Sequence, residues 1–350
     1  MKHGLCVIGN GGMGDWHVRR AQAGGVVDVI AVHDIKEERN VFAEEKRGVK
    51  AYRTLSEVLV DKSIDLVTIA TPNDVHESLA IACMAAGKHV ISEKPVTLSV
   101  ASLERMIAAS EKYGVKFSVH QNRRWDNDYT VMKRLMENQT IGEVLNIESR
   151  VHGSRGVPGD WRALKPYGGG MLYDWGVHMI DQLLMLFKDV KLTEVFCQLD
   201  HITTNEVDDG LKLTLWFENG ARAHTEIGTY NFIKLPRFYM QGKHGTALIP
   251  DWNQPCQVTE CFGWEEKDVT PIQAAAGLTK TMAPRDEITT KSYEIELPEM
   301  DPHDYYRNFC AAIDGKEEQI VTHKQMLRVM RVIEAAFASD AQKQVVKFEE

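Results

Sequence analysis

The stretch LCVIGNGGMGDWHVRRA, which begins at Leu5, restricts the fold more than any other part of the chain. A short apolar run stops at glycine, and a helical pattern starts a few residues later. Gly9, Gly11 and Gly14 fit the spacing G-x-G-x-x-G. In that pattern the first glycine permits a tight turn, the second lets backbone approach a pyrophosphate, and the third allows close packing of helix on strand. Gly12 and Met13 complete the loop, and the free amides at the helix start would face phosphate oxygens. Glycine triplets occur by chance, so the context has to carry the reading. Asp34 closes the next apolar run, VDVIAVHD, about 20 residues past Gly14, where an acid accepts bonds from the adenosine ribose hydroxyls. A carboxylate there would meet a 2′-phosphate unfavourably, so NAD is expected in preference to NADP.

The same alternation continues. LCVIG, VDVIAVHD, LVTIATP, KHVISEKP and VKFSVHQ read as strands, with amphipathic helices between them at 74–86 and 100–112. Strands alternating with helices predict a doubly wound parallel sheet covered on both faces, an α/β Rossmann domain over residues 1–122. From about Asn122 the pattern changes. A helix at 128–138 leads to a strand at 145–152, and TEVFCQLD, DDGLKLTLWFENGARAHTEIG and RFYMQGKHGTALI alternate in period two. Residues 123–350 therefore read as an α+β domain on a large, mostly antiparallel open sheet. Within it FENGA is a hairpin turn, with Asn219-Gly220 supplying positive φ. One face of that sheet is expected to form a homo-oligomer contact. Residues 263–292 read as a long loop, a lid or a partner contact. The run QMLRVMRVIEAAFASDAQ is an amphipathic helix free to pack on either domain.

Composition excludes several functions. The formal net charge is −9 and no Lys/Arg tract stands out, which argues against nucleic acid and anionic membranes as partners. No apolar run is long enough to span a bilayer, and no signal peptide is evident, so a cytoplasmic enzyme is expected. The six cysteines lack C-x-x-C spacing and read as reduced thiols, not as a disulfide or zinc framework.

Ligands of an open parallel sheet bind at the carboxyl ends of its strands. Those ends carry ATPNDVHE and SEKPVT, which place Thr71, Asn73, His76, Glu93 and Lys94 beside the cofactor, with Pro95 ending the ladder sharply. Farther on, GGGMLYDWGVHMIDQLLML sets Asp174 and His178 four residues apart on what reads as a buried helix. At that spacing they share one face. At this spacing alone a helix-surface ion pair or a satisfied core pair is the commoner explanation. A metal could take both side chains, but no third or fourth ligand is near in sequence, so no metal is expected.

GNGGMG, Asp34, ATPNDVH, SEKPVT and GGGMLYDWGVHMID, in this order, resemble the glucose–fructose oxidoreductase / inositol dehydrogenase / rhizopine catabolism (Gfo/Idh/MocA) family, as do NRRW at 122–125, GDWR at 159–162 and EAAFAS. The resemblance spans nearly the whole chain. It implies a Rossmann domain, an open-sheet second domain and NAD(P) between them. It places Lys94, Asp174 and His178 at the catalytic positions, and it implies a cis Lys94–Pro95 bond. Asn122 joins the cofactor residues. Arg123, Arg124, Trp125, His152, Trp161, Arg162 and Tyr167 are expected near the substrate, a mixture suited to a sugar, polyol or glycoside.

In the expected chemistry His178 takes the hydroxyl proton, Asp174 steadies the resulting imidazolium, and Lys94 holds the reacting oxygen. Lys94 as the base is the alternative. The same residues would also serve a glycosidase that works by transient oxidation and elimination. A non-catalytic dinucleotide sensor is a third reading, but such a protein is expected to lose catalytic positions, and this chain keeps all three.

Overall fold

The computed structural model describes residues 2–263 and 269–349. Six strands form the first sheet: β1 (Gly4–Ile8), β2 (Asp28–His33), β3 (Lys50–Tyr52), β4 (Leu66–Ile69), β5 (His89–Ser92) and β6 (Phe117–Val119). Their order is β3-β2-β1-β4-β5-β6 and every pairing is parallel. β1, β4 and β6 are buried along their whole length, because helices cover both faces and the strands need no polar side. The helices are α1 (Gly12–Gly24), α2 (Glu37–Phe42), α3 (Leu55–Val60), α4 (His76–Ala85) and α5 (Val100–Tyr113). The order reverses between β1 and β4, which opens a crevice at their carboxyl ends. This is the Rossmann domain.

α6 (Asn127–Glu137) leads into the second sheet, which contains β7 (Val144–His152), β8 (Leu192–Asp200), β9 (Gly210–Phe217), β10 (Arg222–Gly228), β11 (Phe238–Gly242), β12 (Gly245–Ile249) and β13 (Cys256–Cys261). α7 (Val177–Leu186) falls between β7 and β8. β14 (Ile272–Ala274) and β15 (Gly277–Thr279) make a separate small hairpin, and β16 (Thr290–Ile295) and β17 (Val346–Lys347) edge the large sheet. The order is β16-β13-β12-β11-β7-β10-β9-β8-β17, antiparallel throughout except for β7 with β10. Ile147 and Ser149 of β7 face inward, Ser149 Oγ lying 3.3 Å from Met179 Sδ of α7. Glu148 and Arg150 alternate with them onto the opposite face, together with Lys212, His224 and Glu226.

The C-terminal helices α8 (Asp304–Ile313) and α9 (His323–Gln342) tie the two sheets together. Tyr306 on α8 bonds His17 of α1 at 2.8 Å and Thr68 of β4 at 2.9 Å, and Tyr305 donates to the Val119 carbonyl at 2.9 Å. On α9, Glu334 accepts from Val100 N at 2.8 Å, while Ser339 and Asp340 accept from Cys197 N and Leu199 N of β8 at 2.9 Å. The C-terminal amphipathic helix therefore packs on both domains. No helix among the described residues is long and apolar enough to cross a membrane.

Two local expectations need correction. The FENGA turn gets its positive φ from Gly220 alone: Phe217 N donates to Ala221 O at 3.0 Å across a three-residue loop, so Asn219 need not leave ordinary backbone space. The segment 263–292 is not one long loop. It holds β14, β15 and the start of β16, which pairs with β13 from Thr290 opposite Cys261 to Ile295 opposite Cys256. Residues 264–268 of that segment lie outside the described residues.

Candidate active site

A groove of about 550 Å³ runs over the carboxyl ends of β1, β2 and β4, lined by Gly9, Asp34, Lys36, Arg39, Thr71 and Pro72 among others. Gly9 has φ +89, and a Cβ there would lie 2.6 Å from Ala70 O; a Cβ on Gly14 would lie 1.8 Å from Gly9 O. Only glycine fits at either place. Nothing lies within 4 Å of a Cβ on Gly12, and Met13 beside it is half exposed, so the loop opens onto free space. α1 begins at N-cap Gly11 with no side chain satisfying its first amides, which leaves those donors for phosphate oxygens. Thr71 Oγ1 is buried in the groove without a hydrogen-bond partner, as expected of a group that awaits a ligand.

Asp34 is not the free acceptor that its position at the end of β2 suggested. It is 4% exposed, and Oδ2 accepts from Asn10 N at 2.7 Å and from Arg39 Nη1 at 3.1 Å, while Oδ1 accepts from Lys36 N at 2.9 Å. Arg39 is itself 41% exposed at the side chain and lies along the groove. The charge that a ribose 2′ position would meet is a carboxylate partly neutralised by a guanidinium.

Lys94 leaves β5 at a cis Lys94–Pro95 bond and reaches across to the other domain. Its Nζ donates to Asp174 Oδ1 and to the Asp174 carbonyl, both at 2.9 Å. Arg162 Nε donates to Asp174 Oδ2 at 3.2 Å, with its guanidinium 4.4 Å from the Trp161 ring. Burial alone would raise the Asp174 carboxyl, but the Lys94 and Arg162 charges outweigh it and hold the carboxyl below its ordinary value. Asp174 therefore serves Lys94 and Arg162, not His178: no hydrogen bond or ion pair joins Asp174 to His178 among the described residues. The cause is local. Residues Leu172–Gly176 form a π turn before α7, and the extra residue per turn breaks the i, i+4 register assumed for a regular helix. His178 is buried near Trp175, ring to ring 6.1 Å, and its Nδ1 has no partner. Burial first, then the Lys94 and Arg123 charges, push its imidazolium well below the ordinary histidine range, so it is neutral.

Glu93, expected beside the cofactor, is instead buried behind Lys94. Its Oε1 accepts from His17 Nε2 and His120 Nδ1, both at 2.8 Å, and Oε2 accepts from Lys94 N at 3.0 Å. Burial would raise this carboxyl, yet the two imidazoles hold it well below its ordinary value. The three side chains have metal-ligand spacing. However, His17 Nδ1 is already taken by Tyr306, and the carboxylate is satisfied by N–H donors, so the set is complete as a hydrogen-bonded cluster without a cation. Sequence reading missed His17, His120 and Tyr306. The position of His17 on the helix just past the glycine loop was the one available signal.

The remaining residues divide. His76 bonds the Thr71 and Pro95 carbonyls at 3.0 and 3.1 Å, and Asn73 donates to the Tyr167 carbonyl at 2.9 Å, so both shape the crevice through its backbone. Trp161 and Tyr167 line the dinucleotide groove, which puts them at the cofactor's side and not only at the substrate's. Arg124 does not face substrate. It is locked in a buried pair with Asp181 at 2.6 Å and bonds Gln325 and the Ile320 carbonyl, whereas Arg123 lines a separate cavity with Trp16 and Trp252, its guanidinium 4.3 Å from the Trp175 ring. His152 likewise belongs to the open sheet: its Nδ1 accepts from Leu235 N at 3.3 Å, and Nε2 lies 3.7 Å from Glu226. Period-two alternation places it on the outer face with Arg150. Asn122, expected among the cofactor residues, lines that same cavity and not the groove over β1, β2 and β4.

A six-stranded parallel sheet with a glycine-loop groove, joined at its crevice by Lys94 and Asp174 to a large mixed sheet, defines a dinucleotide-dependent oxidoreductase. Residues 4–121 match the model of the oxidoreductase family with NAD-binding Rossmann fold, and residues 129–248 match that of the GFO/IDH/MocA C-terminal domain. The chain belongs to the Gfo/Idh/MocA family of NAD(P)-dependent oxidoreductases. It is 28% identical over 335 residues to scyllo-inositol 2-dehydrogenase (NADP(+)) IolW of Bacillus subtilis, covering 93% of this chain and 92% of that one. It is 32% identical over 223 residues to myo-inositol 2-dehydrogenase of Thermotoga maritima, covering 61% and 65%. The crystal structure of an NAD-binding protein from Listeria innocua superposes with TM-score 0.94 at 42% identity over 99% of both chains.

Proposed function

We propose that the chain oxidises a secondary hydroxyl of a sugar, polyol or glycoside, or reduces the matching ketone. Residues 1–122 would bind NAD(P), and residues 123–350 would supply the substrate side and a homo-oligomer contact. The observation that carries this reading is the 2.9 Å contact between Lys94 and Asp174, which brings together side chains 80 positions apart at the mouth of a dinucleotide groove. The inositol dehydrogenases among the relatives support the substrate class.

A bound nicotinamide would supply the acceptor for the hydride that leaves the carbinol carbon. Two of the three Lys94 ammonium hydrogens go to Asp174; the third is left to donate to the substrate oxygen and stabilise its developing charge. The hydroxyl proton passes to the neutral His178 imidazole. Burial, and then the Lys94 and Arg123 charges, disfavour the resulting imidazolium, so it returns a proton readily when the ketone is reduced. Asp174 acts through Lys94, fixing its position and its charged state.

NAD is preferred because Asp34 still closes the ribose end of the groove, but Arg39 narrows the margin over NADP. Cytoplasmic operation is supported by the six free cysteines. The test is a panel of inositols, monosaccharides and glycosides with NAD and with NADP, followed by cofactor absorbance. Reduced cofactor with a cyclitol or sugar supports the reading, and silence across the whole panel defeats it.

A further inference from the structure

Glu93 precedes Lys94 and takes no part in the chemistry above, yet three N–H groups from separate elements converge on it. His17 comes from α1, His120 follows β6, and the third is the amide of Lys94 itself. Glu93, His17 and His120 are all buried. A carboxylate withdrawn from water persists only where donors replace its hydration. Here those donors belong to the glycine-loop helix and to the catalytic turn.

The hydrogens of the cluster can be placed one by one. Burial would raise the Glu93 carboxyl, but the two imidazoles hold it well below its ordinary value, so it is ionised and accepts at both oxygens. Burial also pushes His17 below the ordinary histidine range, so its ring is neutral and its one hydrogen goes from Nε2 to Glu93. Nδ1 must then accept. The Tyr306 hydroxyl donates to it at 2.8 Å, and the Tyr306 oxygen accepts in turn from Thr68 Oγ1 at 2.9 Å. Hydrogen bonds that run head to tail in this way polarise one another. The chain starts on β4, passes through α8 and α1, and ends on a carboxylate whose other oxygen holds the Lys94 amide at 3.0 Å.

α1 is the helix whose first amides are left for phosphate oxygens. A group that ties Lys94 to α1 therefore ties its ammonium to the helix end that would carry the cofactor's pyrophosphate. Asp174 holds the same lysine from the second domain, at Nζ. One carboxylate sets where the ammonium points; the other sets where the lysine starts.

We propose that Glu93 is a positioning residue for the reaction, fixing the catalytic lysine relative to the phosphate-binding helix through His17 on one side and Lys94 N on the other. The proposal rests on the dehydrogenase reading and adds a residue to it.

The test takes the full chain with NAD and a sugar or cyclitol that it oxidises, and compares the parent with Glu93→Gln, Lys94→Ala and the double variant. Glu93→Gln keeps the shape and loses the charge, leaving one acceptor atom for three N–H groups. Circular dichroism establishes folding first, and His17→Leu, which cuts the same link from α1, takes over should Glu93→Gln not fold. Because a shift of about 1 Å at a reacting group can cost about a hundredfold, kcat should fall about tenfold or more while KM for NAD stays near the parent value. In the Lys94→Ala background the same change should cost no more than about twofold, since Glu93 acts through Lys94. An unchanged kcat, a loss that falls on KM for NAD instead, or an equal loss in both backgrounds overturns the assignment.

A second readout needs no substrate. Acetylation of Lys94 by acetic anhydride in the presence of NAD, followed by peptide mass spectrometry, should rise several-fold in Glu93→Gln as the ammonium leaves Asp174 more often. Lys88 is the control: its Nζ is buried against the Asp61 and Ile64 carbonyls at 2.6 and 2.7 Å, and its labelling should match the parent's. Unchanged labelling of Lys94, or a parallel rise at Lys88 that marks general loosening, overturns the positioning role. If no sugar or cyclitol reduces the cofactor, the dehydrogenase reading fails by itself, and the labelling still decides whether Glu93 positions Lys94.

Discussion

At the residue scale the site is a small set of charges whose partners decide what each can do. Lys94 gives Asp174 two hydrogen bonds, and in the proposed reaction its remaining ammonium hydrogen serves the substrate. Replacing it in Lys94→Ala removes the donor to the reacting oxygen but touches nothing in the glycine loop. Turnover should fall about a hundredfold or more while NAD affinity is kept; turnover within a few-fold of the parent would remove Lys94 from the chemistry. Arg39 makes a second case. It pairs with Asp34 in the groove where a 2′-phosphate would sit, and a charge-assisted hydrogen bond contributes about 1.5–3 kcal/mol. Arg39→Ala should therefore weaken NADP about tenfold more than NAD, measured as dissociation constants; equal weakening of both would show that Arg39 does not read the 2′ position. Asp34 was legible as an acid at the end of a strand, but its saturation was not. The partners Asn10 N, Lys36 N and Arg39 are set by how the chain turns after β2, and no spacing rule encodes that turn.

At the element scale, five strands of the Rossmann sheet were plain in the sequence as Val- and Ile-rich runs, whereas β3, three residues long and starting at exposed Lys50, was missed. α7 was equally plain as a helix. The π turn ahead of it was hidden, since a π turn leaves no mark on apolar periodicity, and with it went the assumed pairing of Asp174 with His178. The hairpin β14–β15 was hidden too, because small residues at 274–277 carry no alternation. A charge from the segment between β8 and β9 holds the turn ahead of α7. Asp208 is buried, with Oδ2 accepting from Leu172 N at 2.7 Å, and burial pushes its carboxyl up to about 6 even though that amide opposes the shift. An acid whose carboxyl rises on folding binds its proton more tightly in the folded chain, so folded stability declines as pH climbs from about 4 to about 6 and stays lower above. A rise of about two units corresponds to roughly 3 kcal/mol. Asp208→Asn keeps an acceptor for Leu172 N without the charge. Its Tm above pH 7 should exceed the parent's, and its pH dependence between 4 and 6 should be flatter; a parallel pair of Tm–pH curves would contradict this.

At the scale of the whole molecule, the crevice exists because two sheets are held together by helices from the far end of the chain. Tyr306 contacts His17 and Thr68 across more than two hundred residues of sequence, and α9 bonds both α5 and β8. What the molecule leaves uncovered is the outer face of the large sheet. Arg150 on β7 pairs there with Glu148 on its own strand and lies 3.6 Å from Glu226 on β10, with Lys212 and His224 alongside. A face that mixes both signs can meet a copy of itself about a twofold axis with carboxylates opposite cations, which is the geometry of an isologous dimer contact. Within one chain Arg150 is only 17% exposed at the side chain and Arg150→Glu sets a third carboxylate beside Glu148 and Glu226, so circular dichroism is read first to show that the variant is folded. Across a twofold interface the same change acts twice and in a drier setting, where like charges cost several kcal/mol. Light scattering behind size exclusion should give an oligomer for the parent and a smaller species for Arg150→Glu. A monomeric parent, or a variant of unchanged mass, would place the assembly contact elsewhere on the molecule.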